Sequence, residues 1–145
     1  MILIVGGESS GKATYARRLA ATHGWGEDDM ALDVEELLWG KGERASEEAR
    51  AGDGPLGRTG REECRDSQAA PAGHALPATP ELIERLAAKR IVTCAEVGGG
   101  VVPLGHEERV WRESVGRLSC ELAERATAVV RMVCGIPVVL KGSLA

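Results

Sequence analysis

Phenylalanine is absent from this chain, tyrosine occurs once and tryptophan three times, so aromatics reach only 3%. Binders of single-stranded nucleic acid stack bases on aromatic rings, and that class is therefore not expected. The core has to be built from Val, Leu, Ile and Ala instead. An excess of basic residues is lacking as well. Lys+Arg 18 against Asp+Glu 22 leaves a net charge of −4, which argues against a broad face for phosphate backbones, so no nucleic-acid partner is expected. No apolar run approaches the roughly 20 residues of a membrane span. Residues 1–5 are apolar, but Gly6-Gly7 close the run and no basic leader precedes it, so no signal peptide is expected. The four cysteines (Cys64, Cys94, Cys120, Cys134) contain no C-x-x-C pair, which argues against a metal or disulfide framework. Three of them lie in apolar segments, where a buried thiol behaves as a small hydrophobe. A reducing cytoplasm fits this usage.

What is present reads as one α/β domain over residues 1–145, with a mainly parallel sheet flanked by helices. Residues 1–5 form a continuous apolar run without alternation, the pattern of a strand covered on both faces. A glycine loop follows. Helix formers then run from 13 to 21, with Tyr15 or Ala16, Leu19 and Ala20 on one stripe. The spacing predicts a second short helix over 30–39. Between Lys41 and Pro80 the only residues from the set Val, Ile, Leu, Met, Phe and Trp are Leu56 and Leu76. Such a stretch buries too little apolar area to offset its ordering entropy, about 1–2 kcal/mol per residue. Residues 41–80 are therefore expected to form a mobile or disordered insert. Thr79-Pro80 signals a helix start, with the helix over 81–89 and a strand over 90–95. Glu96 opens a glycine-rich loop. A long helix is predicted over 105–126, with Trp111, Val115, Leu118 and Leu122 on one stripe. Residues 128–134 read as another buried strand. Gly135-Ile136-Pro137 turns into a last strand at 138–140, an edge or antiparallel one because Pro137 cannot donate to a ladder.

The chemistry concentrates in Gly6-Gly7-Glu8-Ser9-Ser10-Gly11-Lys12-Ala13-Thr14. The spacing G-x-x-x-x-G-K, set between a strand and a helix, is the P-loop pattern of nucleotide-binding proteins. Glycines let successive backbone N–H groups curl around an anion, and the helix start adds its partial positive charge. Lys12 can then reach the β- and γ-phosphates of ATP or GTP. The pattern asks for Ser or Thr after the lysine, as a hydroxyl ligand to Mg²⁺. Ala13 stands there. Thr14 is turned about 100° further round the helix, which suits an α-phosphate contact better than a metal. Glu96, just after the strand 90–95, has two readings: a carboxylate beside the metal, or a turn-capping or salt-bridged side chain. Asp33 and Glu35 are weaker candidates, expected on a solvated helix face. His23, His74 and His106 are each expected as surface residues rather than covalent nucleophiles.

Two blocks carry a family resemblance. The opening 1–12 with Tyr15-Ala16 resembles the start of adenosylcobinamide kinase/adenosylcobinamide-phosphate guanylyltransferase. Glu96-Val97-Gly98-Gly99-Gly100-Val101-Val102-Pro103 resembles that family's E-V-G-x-G-[IV]-V-P signature. Trp111-Arg112-Glu113-Ser114-Val115-Gly116-Arg117-Leu118 resembles its F-R-[DE]-x-x-G-R-x segment, and Gly135-Ile136-Pro137-Val138 its closing turn. Together these cover about half of the chain, residues 1–20 and 90–142.

The resemblance implies a cytoplasmic enzyme of cobalamin biosynthesis, often a homotrimer. Such an enzyme phosphorylates adenosylcobinamide with ATP or GTP, then transfers GMP onto that phosphate through a guanylylated histidine. That histidine falls between the two blocks, where the apolar-poor stretch lies here, and no histidine of this chain stands in a recognisable motif. Lys12 and Glu96 are the residues expected to act in catalysis. The alternative reading is a GTP- or corrinoid-binding protein without catalysis, for which Ala13 and the missing histidine motif argue. Another small-molecule kinase on the same fold is a third reading, disfavoured by the E-V-G-x-G-V-V-P block.

Overall fold

The apolar opening becomes strand β1, Ile2–Gly6, at the centre of a five-stranded sheet. The computed structural model describes residues 1–41 and 73–144. Helix α1 (Lys12–His23) leads from β1 to the two-residue strand β2 (Met30–Ala31), and a 3₁₀ turn (Val34–Leu38) follows. Strands β3 (Trp39–Lys41) and β4 (Gly73–Ala75) pair as a small antiparallel ribbon. Helix α2 (Pro80–Ala87), strand β5 (Ile91–Ala95), helix α3 (His106–Arg125) and strands β6 (Ala128–Val133) and β7 (Ile136–Lys141) complete the order.

The main sheet runs β2-β5-β1-β6-β7. Its first four strands are parallel, and β7 returns antiparallel along β6. This is the mostly parallel α/β sheet expected from the sequence. In register, Gly6 at the end of β1 lies between Ala95 of β5 and Met132 of β6. The carboxyl ends of three strands therefore meet around the start of the glycine loop. The chain leaves β1 for β2 on one side, while the crossover from β5 lands β6 on the other. A crevice forms where strand connections diverge in this way.

Alternation along β1 sorts the core into two layers. Leu3, Val92, Cys94 and Val129 face α2 and α3, where Ile83, Leu86, Val115, Leu118 and Leu122 cover them. Ile4, Ile91, Val130 and Met132 face Ala16 and Ala20 of α1. The small residues of α1 let that helix lie close to the sheet. The Thr79 hydroxyl caps α2 by accepting from Leu82 N at 3.3 Å, with Pro80 opening the helix. Between β6 and β7, Cys134 (φ 50) and Gly135 (φ 79) take the left-handed pair of conformations that a tight two-residue hairpin requires. Pro137 lies on the edge strand, as its missing N–H suggested.

Three expectations need correction. The helix predicted over 30–39 does not form: β2, the 3₁₀ turn and β3 divide that stretch. Asp33 is left-handed (φ 51), and its N–H is taken by the Thr93 hydroxyl 60 residues away, so a tertiary bond outcompetes a ten-residue helix that would be marginal alone. The expected insert 41–80 is trimmed at its carboxyl end by β4, while 42–72 lie outside the described residues. Of the three cysteines in apolar segments, only Cys94 is buried. Cys120 is on the outer face of α3 and Cys134 is in the hairpin turn, both exposed.

Leu118, fully buried between α3 and the sheet, ties the helix to the larger layer. Leu118→Ala is expected to cost about 2–5 kcal/mol through lost burial and the cavity left behind. Urea unfolding of both proteins measures it, read by far-UV circular dichroism.

Candidate functional site

The glycine loop owes its shape to close packing at its first residue. A Cβ on Gly6 would lie 2.7 Å from Ser10 Oγ and 2.8 Å from the Met132 carbonyl, so no larger residue fits between β1 and β6. Gly11, at φ 91, turns the chain into α1. Three main-chain bonds brace the loop, one within it and two from neighbouring elements. Glu96 N donates to Gly6 O (2.9 Å), Ser10 N to Gly7 O (3.3 Å) and Gly135 N to Ser10 O (3.1 Å). The β6–β7 turn thus buttresses the loop from beyond β6.

Tyr15 N–H makes the bond that opens α1, to Gly11 O at 3.0 Å. The amides of Lys12, Ala13 and Thr14 precede it and are the orphan donors of a helix start. No acidic side chain occupies that first turn, so the positive end of the helix is not neutralised from within. Lys12 is buried, and its ammonium donates to Gly7 O at 3.0 Å, folded back over the loop. Ser10 Oγ is buried with no hydrogen-bond partner among the described residues. A buried hydroxyl left in this state is the kind of group a ligand or ordered water completes.

Ser9, Ser10, Gly11, Lys12, Ala13 and Thr14 line a depression of about 300 Å³, together with Asp33. Amide-bearing loop residues, Lys12 and three hydroxyl residues (Ser9, Ser10 and Thr14) therefore share one concavity with Asp33. Chemically, such a site can grip a polyphosphate and hold an oxygen-loving cation against it. Of the predicted loop, Gly6 sits in the packed base, and Ser9–Thr14 border the depression. Gly7 contributes its carbonyl to Lys12, and Glu8 is exposed.

The acidic residues separate. Glu96 is half-exposed and engaged by both arms of Arg131, at 2.9 and 3.0 Å; it does not line the depression. The geometry is the salt-bridged one of its two readings. Asp33 and Glu35 depart from the solvated helix face expected of them. Asp33 is held in its left-handed conformation, which costs a non-glycine residue about 1–2 kcal/mol, by bonds to Thr93. Glu35 turns inward: its carboxylate accepts the Ala95 N–H at 2.9 Å, and its carbonyl accepts Trp111 Nε1–H at 3.1 Å. Burial pushes the Glu35 carboxyl above its ordinary value, with nearby Asp33 adding to the rise. The Ala95 amide and Lys12 pull it back. Burial likewise raises the Cys94 thiol to about 11, against a lowering contact with Ser119, so Cys94 stays a protonated core residue. Sequence reasoning passed over Thr93 and Arg131 altogether. A hydroxyl inside a buried strand was the one available signal for Thr93.

None of the three histidines lines the depression. His23 stacks on Trp25 at the opposite end of the sheet, His74 is on β4 and His106 starts α3. A larger cleft, about 570 Å³, lies at the amino ends of the strands, between Met1, Trp25, Arg90 and Thr127. Two of its cations are already matched, Arg90 to Asp29 at 3.5 Å and Lys89 to Asp28 O at 2.6 Å. Ligands of parallel α/β sheets gather at the carboxyl ends, which favours the smaller depression over the larger cleft.

A braced glycine loop at the carboxyl edge of a parallel sheet is the place where α/β folds of this kind bind their ligands. The family model for cobinamide kinase/cobinamide phosphate guanyltransferase matches residues 62–140, just over half of the chain, and the chain belongs to that family. Membership gives it a role in cobalamin biosynthesis among the transferases. The match takes in the loop after β5, α3, β6 and most of β7, and leaves out the glycine loop. No curated protein matches the chain. Among the described residues, no helix is long and apolar enough to cross a membrane.

Because the Glu35 carboxyl is raised in the folded state, the fold favours its protonated form. Wild-type stability relative to Glu35→Gln should therefore fall as pH rises through and above the usual carboxylate range. Glu35→Gln is expected to be better tolerated at pH 7 than at pH 4, as urea titrations of both proteins at the two pH values would register.

Proposed function

We propose that the protein is a nucleotide-dependent kinase of an adenosylcobinamide-type corrinoid. On this reading the loop amides and Lys12 hold the phosphates of ATP or GTP. The observation that carries it is the depression where Lys12, the α1 amides and Asp33 meet, in a chain of the cobinamide kinase family. Lys12 would leave Gly7 O for the β- and γ-phosphates, and would stabilise charge on the transferring group.

Magnesium fits the donor set, although the hydroxyl expected after the lysine is missing at Ala13. Asp33 would hold the ion, with the unpartnered Ser10 hydroxyl nearby as an oxygen donor and Thr14 left to the α-phosphate. Bound with the nucleotide, it would offset phosphate charge. Glu96, tied to Arg131, would act by keeping the ends of β5 and β6 together beneath the loop rather than by touching the metal. The glycine-rich loop after β5 would receive the corrinoid. Arg112 and Arg109 of α3 pin it through the carbonyls of Val101, Pro103 and Leu104, while the side chains of Val101, Val102 and Leu104 stay exposed to an apolar macrocycle. A homo-oligomer, a trimer by resemblance, and a cytoplasmic setting belong to the same reading.

Guanylyl transfer has less support, since no histidine borders the depression. Ala13 and that missing histidine favour, as a second reading, a GTP- or corrinoid-binding protein without turnover.

Isothermal titration with GTP and ATP, with and without Mg²⁺, followed by a phosphate-transfer assay on adenosylcobinamide, tests both readings. Binding with transfer is the outcome expected. Binding without transfer would favour the second, and no binding at millimolar nucleotide would remove both. Lys12→Ala should weaken nucleotide binding at least tenfold, about 1.4 kcal/mol; an unchanged affinity would take Lys12 out of the site. Acid-labile label retained from α-labelled GTP would restore the histidine step.

A further inference from the structure

Strand β5 is apolar at Ile91 and Val92 and carries the protonated thiol of Cys94, yet Thr93 between them is fully buried. A hydroxyl at such a position costs stability unless it is paired. Its partners both belong to Asp33. The Asp33 N–H donates to Thr93 Oγ1 at 2.7 Å, and Thr93 Oγ1 donates to Asp33 Oδ1 at 3.4 Å. A hydroxyl has one proton to give and two lone pairs to receive, so the two bonds use its proton and one of its lone pairs. They reach Asp33 from a strand 60 residues on, and the residue they grip is left-handed at the N-cap of the 3₁₀ turn that follows β2.

From this geometry we infer that Thr93 is a positioning residue. Its hydroxyl fixes the backbone and the carboxylate of Asp33 together, and so holds Asp33 in the lining of the depression that it shares with Lys12. A valine of nearly the same shape would keep the packing and release both bonds. Asp33 would then be free to turn outward, and the depression would lose its acidic wall. With Ala13 in place of a hydroxyl residue, the site has few oxygen ligands to spare. Its grip on a metal–nucleotide complex would therefore depend on where Asp33 points. The inference rests on the nucleotide reading above.

The experiment compares GTP affinity with and without Mg²⁺ in wild type, Asp33→Asn, Thr93→Val and Thr93→Ser, with circular dichroism to establish the fold of each. Asp33→Asn should reduce the strengthening by Mg²⁺ about tenfold, the scale of one charge-assisted hydrogen bond. Thr93→Val should lose a similar factor while its metal-free affinity stays near wild type, and Thr93→Ser should restore the Mg²⁺ response. Should Thr93→Val fail to fold, Thr93→Ala reads the same ratio. Wild-type Mg²⁺ dependence in a folded Thr93→Val, or equal losses in the valine and serine variants, would overturn the positioning role and leave the nucleotide reading standing. Failure of the wild type to bind GTP would overturn both.

Discussion

The close approach of Gly6 to β6 is the constraint on which the site depends. With no side chain at that position, the end of β1 packs against the Met132 carbonyl and the Ser10 hydroxyl. The chain then has to rise away from the sheet and return into α1 through the left-handed Gly11. Main-chain bonds from Glu96 and Gly135 hold the curve from β5 and from the β6–β7 turn. Amides fixed in this way need no reordering when an anion arrives, which is the advantage of a preorganised site.

Charge is distributed around that loop by the sheet rather than by the loop's own residues. Arg131 of β6 captures Glu96, and the 3₁₀ turn after β2 supplies Asp33 to the depression. Two carboxylates near one ammonium would compete for it if both faced the cavity. Pairing Glu96 elsewhere leaves Asp33 as the acidic wall. Glu35 serves the scaffold instead: its inward carboxylate takes the Ala95 amide, and its carbonyl is held by Trp111 of α3. This polar stitching joins the 3₁₀ turn, β5 and α3, where purely apolar packing would not set a register.

The family match and the glycine loop are complementary in extent. The match runs from residue 62 to 140 and covers the part that carries the long helix and the exposed valine-rich loop. The opening of the chain contributes the glycine loop outside it. The proposed kinase assigns the nucleotide to the first part and the corrinoid to the second, with β1 lying between β5 and β6 so that the two parts share one sheet.

Several elements were legible from sequence because their signals are local. An unbroken apolar run marked β1 and mostly apolar segments marked β5 and β6, the Thr79-Pro80 pair marked the start of α2, and the stripe Val115, Leu118, Leu122 marked the buried face of α3. The loop spacing from Gly6 to Lys12 marked where amides would crowd. None of these needs knowledge of a distant residue. The stretch 30–39, by contrast, reads as a helix until Thr93 takes the Asp33 amide. A two-residue strand is too short to show a period, and a bond spanning 60 positions leaves no trace in local spacing. In the same way Glu96 had two readings until β6 brought Arg131 alongside it. Local composition determined which segments become strands and helices and where the backbone can curl around an anion. Which carboxylate faces that curl was decided only when the parallel strands came into register, because side-chain partners in such a sheet are set by crossovers rather than by neighbours in the chain.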